Sequence, residues 1–153
     1  MPSLRETLME SMKTAMKAGD HARLDTVRLI LAKIKEADIN ARAGGKDAAA
    51  EGDILSLMQG MIKQRQESSK IYRDNNRPEL ADKEDVEIRI IETFLPQQLS
   101  EAEVTAAIAA IIAETGAAGV KDMGKVMAAL KEKLAGQTDM AKASALVKQK
   151  LAG

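Results

Sequence analysis

Only two of 153 residues are aromatic, Tyr72 and Phe94, against twenty-six alanines, and that imbalance leaves the chain little to fold into except helices. Strands are built from aromatic and β-branched side chains that pack on a pleated surface, whereas alanine enters a helix without losing side-chain entropy. The three prolines stand at positions 2, 78 and 96, outside the long periodic segments, where they punctuate helices without breaking them. The expected fold class is all-α.

What is missing narrows the chemistry. There is no cysteine, hence no disulfide framework, thiolate metal site or cysteine nucleophile. The single histidine, His21, excludes His-rich zinc sites and paired Glu-x-x-His motifs, so neither metal nor cofactor is expected. Lys plus Arg and Asp plus Glu both number 23, which argues against a nucleic-acid coat but permits a local basic face. Apolar residues at 45% and charged residues at 30% make a foldable mixture. The longest unbroken apolar run, Ala106 to Ala113, is mostly alanine and too short to span a bilayer, so no membrane role is expected. Met1 to Glu6 contains no apolar h-region, and the expected location is the cytoplasm.

Along the chain, Ser3 and Glu6 form a capping-box pattern, followed by Leu4, Leu8, Met12 and Met16 and then Gly19 as a stop. Asp20 opens a second helix to about Arg42, with Leu24, Val27, Ile30, Leu31 and Ile34 as its apolar row. Residues 43–52 lose periodicity; they read as a mobile connection, with partial helix left open. A third helix runs from Asp53 to about Asn75 on Ile54, Leu57, Met58, Met61, Ile62 and Tyr72. Between Arg65 and Lys70 it has no apolar residue, so any buried face there must pass through Ser69 or long side-chain stems. A fourth helix, acidic at its start, runs from Pro78 towards Phe94 and Leu95. Residues 96–99 mark the domain boundary, and Ser100 with Glu103 repeats the capping box. Three further helices follow, on Val104, Ile108, Ile111 and Ile112; on Met123, Val126, Met127, Leu130 and Leu134; and on Met140, Val147 and Leu151. The expected organisation is a bundle of about four helices over 1–96 and a small three-helix domain over 97–153.

Neutrality hides local charge. From Lys13 to Lys46 there are 8 basic against 4 acidic residues, and from Ala117 onwards 7 lysines against 3 acids, balanced by 6 acids against 2 bases between Pro78 and Glu92. The acids of that last stretch suit the positive end of a helix and read as a solvated start. The serines lie in helices or at their starts without a G-x-S-x-G turn, so no catalytic residues are assigned. Lys121 and Lys125, four apart near a helix opening, oppose the helix dipole. Phosphate contact would compensate them; a solubility surface is the alternative. Gly124 between them admits either a ligand or another helix at close range. Without aromatics in this region, shape or backbone recognition of a folded RNA is the mode left open.

Met61 to Ser68, Tyr72, Glu79-Leu80-Ala81 with Glu84 and Glu87, and Phe94-Leu95-Pro96-Gln97-Gln98-Leu99 resemble the YqeY-like family. Arg28 to Leu31 with Lys35, Asp122 to Met127, and Gly136 with Leu146, Val147 and Leu151 extend the likeness over essentially the whole chain. The resemblance implies a two-domain helical protein whose C-terminal helices are similar to the tRNA-gripping tail of the B subunit of glutamine-dependent aspartyl/glutamyl-tRNA amidotransferase. It carries no catalytic domain with it. Gly124, Lys125, Val126, Met127 and Gly136 match the tail's motif, whereas Gln137 and Thr138 depart from it.

These readings lead to an accessory, non-catalytic RNA-associating protein with tRNA as partner. Its contact residues would be Lys121, Gly124 and Lys125, with Lys131, Lys133 and Lys142 as weaker members. A second reading is a protein-interaction module presenting Arg65, Glu67 and Tyr72 to a protein partner. A third, implied only by the family label, is a carbon–nitrogen ligase with glutamine as amide donor.

Overall fold

The computed structural model describes residues 2–152, and among them it contains seven α-helices and no strand. The all-α expectation is met. The chain divides into two compact units, Met1–Leu95 and Pro96–Gly153.

The first unit contains α1 (Leu4–Ala18), α2 (His21–Ala43), α3 (Glu51–Asp74) and α4 (Pro78–Glu92). Ser3 caps α1 by accepting from the Glu6 amide at 3.2 Å, and Asp20 caps α2 by accepting from the Arg23 amide at 3.2 Å. Between these helices Gly19 takes the left-handed conformation, φ 70°, while the amides of Gly19 and Asp20 return to the Met16 and Ala15 carbonyls. Two residues thus close the α1/α2 hairpin. Asn76, φ 58°, makes the corresponding turn before Pro78 starts α4.

The core gathers Leu8, Val27, Ile30, Ile34, Ile54, Met58, Met61 and Ile91, with Phe94 and Leu95 packed on its edge. Met16 differs from expectation: it is 52% exposed, and Ala15 is buried instead. Four-residue steps gain about 40° each on the 3.6-residue helix, so a Leu4–Leu8–Met12–Met16 row drifts off the core while a seven-residue step from Leu8 returns to it. α4 also stops at Glu92, short of Phe94 and Leu95, which complete it with turn hydrogen bonds.

Where the apolar row of α3 gives out, polar groups continue it. Arg65 is 8% exposed and Ser69 6% exposed, as the missing apolar positions required. The Arg65 Nε donates to Glu87 at 2.8 Å and its Nη1 to the Met61 carbonyl at 3.1 Å. Ser69 donates to Asp85 at 2.7 Å, and Arg73 reaches both Asp85 and Asp82. The acids of α4 are therefore not simply a solvated helix start: three of them face α3 and hold it. Ser69 and then Arg73 keep the Asp85 carboxyl below the usual carboxylate range.

A second polar clasp ties residues 44–50 to the hairpin. Arg5 binds both oxygens of Asp38, at 2.8 and 2.7 Å, and donates to the Ala49 carbonyl, while Asp38 accepts from the Ala49 amide. The Leu4 amide, left unpaired by its own helix, donates to Glu51 at 2.7 Å. The Arg5 hydrogen bond, then the Ala49 amide, bring the Asp38 carboxyl down to about 2.

The second unit contains α5 (Glu101–Thr115), α6 (Met123–Lys133) and α7 (Met140–Ala152), with a short 3-10 turn at Val120–Asp122 before α6. Ser100 and Glu103 form a complete reciprocal capping box. Val104, Ile108, Ile111, Val126, Leu130, Leu134, Ala143 and Val147 make a core of its own. Among the described residues no single helix is long and apolar enough to cross a membrane.

Two outcomes follow for the first unit. Arg65→Ala strands Glu87 and opens a cavity, so chemical denaturation should show a loss of about 2–3 kcal/mol, against less than about 0.5 kcal/mol for the exposed Glu67→Ala. Because the Asp38 carboxyl is lowered from 3.8 to about 2 on folding, its stabilisation is present above pH 4 or so and disappears as pH falls towards 2. The melting temperatures of wild type and Asp38→Asn, followed across that window, should converge at the acid end.

Candidate nucleic-acid interface

The segment between α5 and α6 is shaped by one carboxylate. α5 ends on Gly116 in the left-handed conformation, φ 69°. The chain then turns back so that the Asp122 side chain accepts from the Ala118 amide at 2.9 Å while the Asp122 amide donates to the Gly119 carbonyl at 2.9 Å. This fixes the 3-10 turn from which α6 starts. The Ala118 amide foremost, and Lys121 and Lys125 after it, lower the Asp122 carboxyl below its ordinary range. Asp122 thus places one negative charge beside the two lysines at the helix opening.

Lys121, Gly124 and Lys125 are brought together at this opening, and all three are exposed. Lys121 belongs to the 3-10 turn and Lys125 to α6, so they flank the opening without sharing one continuous helix face. Val126, Leu130 and Leu134 seat α6 in the core on its other side. A methyl group built on Gly124 would meet nothing within 4 Å. The alternative that Gly124 exists to let two helices approach is therefore removed for this unit, and the amides of the first turn lie under no side chain at that position.

The remaining lysines are dispersed. Lys131 lies seven residues after Gly124, two turns along the same outer side of α6. Lys133 is drawn to α5 by an ion pair with Glu114. Lys142 stands exposed in the first turn of α7, a separate element. Gly136 is buried; its carbonyl accepts from the Gln98 side chain at 2.6 Å, and the Leu99 amide donates to the Gln137 carbonyl at 2.9 Å. Gln137, where the sequence departs from the tail pattern, is thus engaged in holding the start of the unit.

Arg65, Glu67 and Tyr72 do not make one face. Arg65 is buried against Glu87, and Tyr72, seven residues later, follows it inward to half-burial. Glu67 is exposed on the opposite side, since two residues turn a helix by about 200°. Sequence reading misses the partners: Ser69–Asp85, Arg73–Asp82 and the Arg5–Asp38–Ala49 clasp. The available signal is the spacing of Arg65, Ser69 and Arg73, which continues the Ile54–Met58–Met61 row in four-residue steps. Among the described residues no group of three or more His, Asp or Glu is placed to hold a metal ion.

The sequence matches the model of the YqeY-like protein family over residues 5–151. It is 36% identical over 109 residues to altered inheritance of mitochondria protein 41 of Lachancea thermotolerans, covering 70% of this chain and 57% of that protein. The same-named protein of Vanderwaltozyma polyspora is 35% identical over 88 residues, 58% of this chain and 46% of its own. That of Eremothecium gossypii is 34% identical over 88 residues, again 58% and 46%. The chain spans about half the length of these curated relatives. Their names overturn the cytoplasmic expectation, because they are mitochondrial proteins by name. The absence of an apolar h-region bears only on secretion, whereas mitochondrial addressing uses amphipathic, arginine-rich sequence. With the family model covering nearly every residue of both units, the chain belongs to the YqeY-like family.

Proposed function

We propose that this chain is an accessory protein that associates with RNA, and with tRNA in particular, through the opening of α6. The observation that carries the reading is Gly124: an exposed helical glycine with open space around it, flanked by the exposed cations Lys121 and Lys125. A phosphate can approach backbone amides closely only where no side chain covers them, and lysines on either side add attraction without geometric demand. The resemblance of Asp122 to Met127 to the tRNA-gripping tail of the amidotransferase B subunit supports the same site. Lys131 extends the surface along α6. Lys133, held by Glu114, contributes little, and Lys142 acts only on a ligand broad enough to reach α7. The mitochondrial naming of the relatives supplies a setting for this reading and no partner.

The test is binding of bulk tRNA to the purified chain across a salt series. Affinity should fall steeply as salt rises, and Lys121→Glu/Lys125→Glu should weaken it and flatten the log–log salt slope by about two, one for each phosphate that the lysines no longer neutralise. Gly124→Ala tests access to the amides: it should leave the fold unchanged or more stable by up to about 1 kcal/mol, from helix propensity alone, while weakening tRNA binding. Undiminished binding by both variants would exclude the α6 opening as the contact.

A further inference from the structure

The basic surplus between Lys13 and Lys46 has no part in that site, and the fold gives it a definite shape. Arg28, Lys35 and Arg42 follow one another at seven-residue intervals along α2, and all are exposed. Seven residues bring a helix back to within about 20° of the same direction and advance it about 10.5 Å, so the three cations form a straight row. The Arg5–Asp38 pair marks the flanks on which α1 and α2 face each other. On α1 the next positions outward from Arg5 are Met9, Met16 and Lys13; on α2 the positions outward from Asp38 are those of the cationic row and Ile39. Met9 is 43% exposed, Met16 52% and Ile39 57%. The two methionines are themselves seven residues apart.

The acids of this region lie to the sides. Asp25 and Glu36 lie farther round α2, roughly 40–60° past Ile39 on its outer side, and Glu36 pairs with Lys33 at 3.7 Å. Glu6 and Glu10 lie farther round α1, past Lys13. Arg42 gives its Nε to the Asp47 carbonyl at 3.1 Å. What remains is a pair of flexible thioethers on α1 and a row of cations on α2, each at the repeat distance of a helix, with Ile39 on the outer side of the cationic row.

We infer that the α1/α2 face, with its Met9–Met16 strip beside the Arg28–Lys35–Arg42 row, docks an acidic amphipathic helix of a partner protein. Charge complementarity selects the occupant. A helix with apolar a and d positions and glutamates in the flanking heptad positions repeats every 10.5 Å or so, matching both rows at once. A nucleic-acid backbone would meet the cations but leave Met9, Met16 and Ile39 without partners, and methionine suits a surface that adapts to a helix. The inference is independent of the α6 opening.

The test uses the full chain and a fluorescently labelled peptide of about three heptads, leucine at a and d with glutamate at e and g, beside a twin carrying lysine for glutamate. The acidic peptide should bind and the lysine twin should not. Arg28→Glu/Lys35→Glu should cost about tenfold or more in affinity for the acidic peptide and create affinity for the lysine twin, a gain that only a folded variant can show. Met9→Ser/Met16→Ser should weaken the acidic peptide without reversing the preference. Failure of the acidic peptide to bind, or a preference that the charge reversal leaves unchanged, overturns the inference. So does loss of tRNA binding in Arg28→Glu/Lys35→Glu together with no peptide binding, which would make the face an RNA surface.

Discussion

Burial of Arg65 against Glu87 is the interaction on which the first unit depends, because it lets two helices stay paired where their apolar side chains run out. α3 has no apolar residue between Arg65 and Lys70, and α4 buries only the small Ala81 ahead of Ile88 and Ile91. Without Arg65, Ser69 and Arg73 facing Glu87, Asp85 and Asp82, this half of the α3/α4 pair would rest on little more than Ala81 and the half-buried Tyr72. An arginine suits the position: its stem packs like an apolar chain, while its head meets both a carboxylate and the Met61 carbonyl. Three of the six acids between Pro78 and Glu92 are thereby engaged by α3, while Glu79 and Glu92 stay exposed.

The second unit solves a different problem. Its core is small and aliphatic, and its helix starts are held by single carboxylates, Glu103 at α5, Asp122 before α6 and Asp139 at α7, which accepts from the Ala141 amide at 2.9 Å. Asp122 is the one that bears on the proposed RNA contact. By bonding to Ala118 it sets the direction of α6, and by standing between Lys121 and Lys125 it reduces their mutual repulsion without covering Gly124. The same residue therefore builds the opening and tempers its charge.

Much of this is legible in the chain. Alanine content and scarce aromatics specify helices. Ser3, Asp20 and Ser100 are recognisable as caps because capping is a local hydrogen bond between a side chain and an amide three residues on. The polar stretch of α3 identifies itself as a place where Ser69 and long side-chain stems must substitute for apolar residues. The failures are equally local in origin. Counting in fours places Met16 in the core, and the match to the family motif groups Arg65 with Glu67, although a helix turns those two to opposite sides.

The sequence by itself determined which segments are helical, where most of them start and stop, and which rows are apolar, since each of these follows from propensity and a fixed rotation per residue. It also determined the family, through motifs spread over nearly the whole length. Only the tertiary structure decided which charges are spent internally and which face outward. An arginine at position 65 and one at position 28 have the same chemistry in the sequence. The first is buried on Glu87, the second is exposed, and the difference depends on where a helix remote in the chain comes to lie. Gly124 was undecidable for the same reason: whether a missing side chain serves packing or access depends on what a methyl group there would meet from the rest of the fold, and within 4 Å it meets nothing.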